Sequence, residues 1–82
     1  MIRAILVDDE PSNIRILEKM ITRFCSGLTI VGTAENSKKA FELIRQEKPD
    51  LVFLDIEMPF GNAFDLLDKL HPVSFEIIFV TA

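Results

Sequence analysis

Apolar positions along the chain alternate between two periodicities. Ile2–Val7 is an apolar run broken only by Arg3, and it stops at Asp8-Asp9-Glu10. It is too short for a helix, and its β-branched content suits a strand. Pro11 then sits where a first helical residue belongs. Ile14, Leu17, Ile21 and Phe24 follow at spacings of three, four and three. That spacing predicts one buried helical face, ended by Ser26-Gly27. Residues 28–33 read as a second strand. Asn36-Ser37 offers an N-cap, and Ala40, Phe41, Leu43 and Ile44 mark a second amphipathic helix closed by Lys48-Pro49. Residues 51–54 are apolar at every position and end at Asp55, which reads as a third strand. Met58-Pro59-Phe60-Gly61-Asn62 is rich in turn formers. Ala63, Leu66, Leu67 and Leu70 predict a short third helix stopped by His71-Pro72. Glu76–Val80 is a fourth strand, followed by Thr81-Ala82.

The order β-α-β-α-β-α-β predicts an α/β fold of three layers, a parallel sheet with helices on both faces reached by right-handed crossovers. Strands that are apolar throughout, rather than alternating, are what a sheet covered on both sides requires. The first and third strands are the most apolar, so they are expected side by side in the interior. Ligands of such sheets bind beyond the carboxyl ends of the strands. That rule singles out Asp8, Asp9, Asp55 and Thr81, each of which follows an apolar run directly.

Composition narrows the classes. The chain has 82 residues, enough for one domain, and 49% of them are hydrophobic, enough for a core. Asp plus Glu outnumber Lys plus Arg by 13 to 9, a net charge of -4 that argues against direct nucleic-acid binding by this segment. The single Cys25 excludes an internal disulfide, and together with the lack of a signal peptide it points to a cytoplasmic setting. No apolar run approaches the ~18 residues of a membrane span. No glycine-rich phosphate loop supports nucleotide binding. With no Trp or Tyr, the Phe residues are expected to supply the aromatic packing of the core. His71 reads as solvated, Cys25 as packing or an idle thiol, and Lys38-Lys39 as a solvated helix start. Met58-Pro59 reads as a turn that shapes the loop after Asp55.

Neighbouring strands that end in Asp8-Asp9 and in Asp55 would bring three carboxylates together. Like charges at such range repel, and a bound cation removes the difficulty. A set of oxygen ligands with open positions suits Mg²⁺. A carboxylate beside Mg²⁺ can act as a nucleophile toward phosphorus, and the Thr81 hydroxyl and the Ala82 backbone N–H are placed to donate to a phosphoryl oxygen.

At this point the residues resemble a known family. Ile5-Leu6-Val7-Asp8-Asp9-Glu10-Pro11, residues 51–59 (Leu-Val-Phe-Leu-Asp-Ile-Glu-Met-Pro) and residues 77–82 (Ile-Ile-Phe-Val-Thr-Ala) are similar to the receiver domain of two-component response regulators. The wording around Asp55 and Thr81 is most similar to regulators with a LytTR-type DNA-binding output domain downstream. The resemblance implies a flavodoxin-like (CheY-like) parallel sheet, here with order 2-1-3-4. It implies Asp55 as the phosphoacceptor, Asp9 as a direct Mg²⁺ ligand and Asp8 as a ligand acting mostly through metal-bound water. It further implies that Glu57 offers its backbone carbonyl to the metal and that Thr81 is the switch hydroxyl. The implied partner is a histidine kinase, and the implied role is signal transfer rather than enzymatic turnover.

Two departures from the family pattern matter. Ala63 stands where the family commonly has Gly, so a shifted loop is expected. The pattern also continues past Ala82 into a helix, a strand ending in Lys and a last helix, none of which this chain contains. On that reading residues 1–82 are the N-terminal part of a receiver domain, and the fourth strand is an edge that predicts a homodimer or an exchanged element. Two rivals are a phosphatase-type hydrolase with an aspartyl nucleophile and a receiver fragment that self-associates without switching. The first lacks the Asp-x-Asp spacing, since the acids here are adjacent.

Overall fold

The computed structural model describes residues 1–56, Met58 and residues 63–80. Four strands, β1 (Ile2–Val7), β2 (Leu28–Ala34), β3 (Leu51–Asp55) and β4 (Glu76–Val80), alternate with three helices, α1 (Pro11–Phe24), α2 (Ser37–Glu47) and α3 (Ala63–Lys69). The sheet is parallel throughout, as the sequence pattern predicts, and ordered β2-β1-β3-β4, as the family resemblance implies.

β1 and β3 take the interior places because their side chains are apolar in both directions. Ile5, Val7, Val52 and Leu54 face α2 and α3, where Ala40, Ile44, Ala63 and Leu66 close the larger core. Leu6 points to the other face and packs with Ile14 and Ile21 of α1, flanked by Leu17, Leu28, Ile30 and Phe53. One β1 strand thus serves two cores, the outcome of period-two alternation in a run with no polar residue after Arg3.

The β1–β2 register shifts between Ala4 and Ile5, which pair with Ile30 and Gly32. The extra residue is a bulge on the edge strand. Gly32 lies just past it, where an added Cβ would come within 2.8 Å of the Leu43 side chain of α2. The absence of a side chain at residue 32 is what lets Leu43 pack against β2.

Local signals at the helix ends hold. The Asn36 side chain accepts the Lys39 N–H at 2.8 Å and caps α2. α2 ends at Lys48, whose φ of 46° is left-handed, directly before Pro49. Pro49 disfavours right-handed helical backbone at the residue before it, so the chain must turn there. α1 carries Pro at its first turn and has no side-chain cap from Glu10. Ala63 is helical and fully buried, and the loop before it lies outside the described residues.

Two packing expectations do not hold in full. Phe24 continues the spacing of Ile14, Leu17 and Ile21, yet it is 72% exposed at the last position of α1. The Arg23 guanidinium lies over its ring, 5.5 Å from the centroid. Among the described residues the expectation for Phe holds only in part, since Phe41, Phe53 and Phe75 pack against the two cores. Phe64 and Phe79 are exposed and stack on each other at 5.7 Å, while Phe41, Phe53 and Phe75 are only partly buried. Aliphatic side chains of β1 and β3 make up the fully buried interior.

Leu54 is fully buried between β1, β4 and the α2–α3 layer. Leu54→Ala is expected to cost about 3 kcal/mol, the usual sum of lost burial and residual cavity. In urea denaturation the midpoint should fall at unchanged slope.

Candidate functional site

The acidic residues come together because β1 and β3 run side by side in a fixed register. Ala4 pairs with Leu51, Ile5 with Val52, Leu6 with Phe53 and Val7 with Leu54. One further step in each strand brings Asp8 alongside Asp55. Asp9 follows at the start of the turn into α1. Carboxylate oxygens of Asp8, Asp9 and Asp55 lie within 4.8 Å of one another.

Asp8 is buried, with 7% of its surface exposed. Two bonds hold it. Its backbone N–H donates to the Ala34 carbonyl at 3.0 Å, which extends the β1–β2 ladder by one residue. Its Oδ1 accepts the Glu10 N–H at 2.9 Å, which satisfies one carboxylate oxygen and orients the other. Asp9 and Asp55 are partly exposed. Asp55 pairs with Val80 of β4, and the Ile56 N–H donates to the Val80 carbonyl at 3.4 Å.

A cavity of about 240 Å³ opens beside the cluster, lined by Asp8, Asn13 and Asp55 with Leu17, Met20 and Val80. Three carboxylates this close concentrate negative charge that a shared cation would neutralise. The donor set is all oxygen, its members come from two rigid strand ends, and the cavity leaves room for water. That is the chemistry of a Mg²⁺ site, which takes few protein ligands and keeps several waters.

Of the residues that the sequence pattern singles out, the structure brings Asp8, Asp9 and Asp55 into one cluster. Glu57, Thr81 and Ala82 lie outside the described residues. His71 and Cys25 are exposed and away from the cluster. Met58, read from sequence as part of a turn, is 7% exposed and packs into the larger core. It anchors the chain three residues after Asp55, and a long apolar side chain among turn formers is the signal that marks it. Asn13 is a lining residue that sequence reasoning passes over, because it falls on the polar side of α1.

The chain matches the family model described as response regulator receiver domain over residues 4–82. It is 43% identical over 70 residues to the protein-glutamate methylesterase/protein-glutamine glutaminase 2 of Burkholderia thailandensis, a match that covers 85% of this chain and 20% of that protein. It is 40% identical to an uncharacterised response regulatory protein of Yersinia pestis, covering all of this chain and 34% of the relative. Among solved structures, the response regulator domain of Thermotoga maritima CheB superposes with a TM-score of 0.85 at 31% identity, covering 99% of this chain and 60% of that one. The chain thus spans between about a fifth and about a third of the curated relatives it matches.

The geometry sets the sign of two effects of Asp9→Asn. Without divalent ions the substitution removes one of three mutually repelling charges and should raise Tm by a few degrees, since about 1 kcal/mol moves a domain of this size by ~4–8 °C. The gain in Tm that the wild-type chain shows on adding Mg²⁺ should shrink or vanish in the same variant. Thermal melts with and without Mg²⁺ measure both.

Proposed function

The chain belongs to the response regulator receiver domain family, and we propose that it takes a phosphoryl group from the phosphohistidine of a histidine kinase onto Asp55. The observation that carries this reading is the convergence of Asp8, Asp9 and Asp55 at the carboxyl ends of β1 and β3. Asp55 is the candidate nucleophile because it ends β3, is partly exposed and borders the cavity. Its carboxylate oxygen would form the new bond to phosphorus as the phosphorus–nitrogen bond to imidazole breaks, the imidazole leaving with a proton.

Asp8, Asp9 and Asp55 would hold Mg²⁺, joined by the Glu57 backbone carbonyl. When bound, the ion neutralises charge on the phosphoryl oxygens and on the carboxylates around them. Asp8, fixed by the Glu10 N–H, supplies a preorganised negative group that need not move on binding. Asp9, with fewer constraints and more exposure, is the better direct ligand. In this reading the Thr81 hydroxyl and the Ala82 N–H contact the phosphoryl group and report its presence. The domain acts as a phosphoacceptor that stores a signal, not as an enzyme with turnover. The downstream partner is an output domain of the LytTR DNA-binding type, which the wording around Asp55 and Thr81 resembles.

Incubation with Mg²⁺ and beryllofluoride or acetyl phosphate tests the reading. A stable adduct at Asp55 is expected by mass spectrometry or by ³¹P and ¹⁹F NMR, and Asp55→Asn should abolish it. Continuous release of phosphate from acetyl phosphate would instead favour a hydrolase. No adduct and no turnover would leave a fold without phosphoacceptor chemistry.

A further inference from the structure

The end of the sheet opposite the acidic cluster carries bonds that join four elements at two residues. Asp50 sits just before β3. Its Oδ2 accepts the Arg3 N–H at 2.9 Å, its own N–H donates to the Arg3 carbonyl at 2.8 Å, and its carbonyl accepts the Glu76 N–H at 2.9 Å. The Arg3 side chain reaches the other way. Its Nη1 donates to the Glu47 carbonyl at 2.6 Å and to the Lys48 carbonyl at 3.4 Å, and its Nη2 donates to Glu47 Oε1 at 2.9 Å. β1, β3, β4 and the end of α2 are therefore tied together through Arg3 and Asp50.

Arg3 lies one residue before the first paired position, Ala4 with Leu51. Its N–H is satisfied there by a side-chain acceptor, the Asp50 carboxylate. The Lys48 carbonyl, at the left-handed end of α2, is bonded by the Arg3 guanidinium.

We propose that Asp50 is a positioning residue for the ion site at the far end of the same strands. The inference rests on the reading of Asp8, Asp9 and Asp55 as the ligands of Mg²⁺. β1 and β3 each carry acids at one end and meet this clamp at the other, within one continuous register from Ala4–Leu51 to Val7–Leu54. A slip of one residue would move a carboxylate by ~3.3 Å and turn it to the opposite face. The bonds between Arg3 and Asp50 oppose sliding of the two strands from the other end. Asp50 thus raises the fraction of molecules with the ligands aligned, and the apparent affinity for the ion scales with that fraction.

The test is a Mg²⁺ titration of the wild type, Asp50→Ala and Asp50→Asn, followed by amide chemical shifts at Asp8, Asp9 and Asp55 under conditions where each is folded. Asp50→Ala should weaken Mg²⁺ binding by up to about fivefold, the ratio that one net hydrogen bond supports. Asp50→Asn keeps an acceptor oxygen for the Arg3 N–H and should restore the affinity. By reciprocity, saturating Mg²⁺ should slow hydrogen exchange of the Arg3 amide in the wild type. Unchanged Mg²⁺ affinity in Asp50→Ala would overturn the proposal even if the variant is less stable. If Asp50→Ala does not fold, an Arg3 amide whose exchange ignores Mg²⁺ would overturn it equally. A wild-type chain that binds no Mg²⁺ would remove the site reading itself and this proposal with it, an outcome distinct from failure of the clamp alone.

Discussion

The parallel pairing of β1 with β3 is the constraint on which the rest of the molecule depends. It buries Ile5, Val7, Val52 and Leu54 together against α2 and α3. The same pairing delivers Asp8 and Asp55 to the carboxyl end of the sheet. Apolar burial of roughly 25 cal/mol per Å² holds the strands together, and that energy is available to offset the repulsion of acids placed side by side. The site is therefore a charged feature sustained by an uncharged core.

Asp8 shows how this balance works locally. It is a buried carboxylate, and such a group is costly unless hydrogen-bonded or paired. The Glu10 N–H supplies one bond. The same bond shapes the turn into α1, so that the start of the helix and the orientation of the acid are one feature. A cation shared with Asp9 and Asp55 would complete the compensation. This is why ion binding and stability are expected to move together in this chain.

The two faces of the sheet are covered differently among the described residues. α2 and α3 close one face over β1 and β3, whereas α1 covers Leu6, Leu28 and Ile30 on the other. The cavity beside Asp8 and Asp55 lies on the α1 side, where Leu17 and Met20 form an apolar wall next to the acids. A polar centre bounded by an apolar wall has a lowered local dielectric, which strengthens every charge interaction made there.

Most of the architecture is legible in the residues alone. Runs such as Ile2–Val7 and Glu76–Val80 declare strands through length and β-branched content, and Asn36 and Lys48-Pro49 mark the ends of α2. The acids that follow β1 and β3 are visible as punctuation, and neighbouring strands of a parallel sheet must bring such residues together. These features are local, or follow from topology, so one dimension suffices to read them. What only the tertiary structure decides is different in kind. Phe24 keeps the helical period yet is exposed, the Met58 side chain fills the core, and the Asp50 carboxylate takes the Arg3 N–H. Each depends on where one element ends relative to another, a distance in space that no periodicity along the chain encodes.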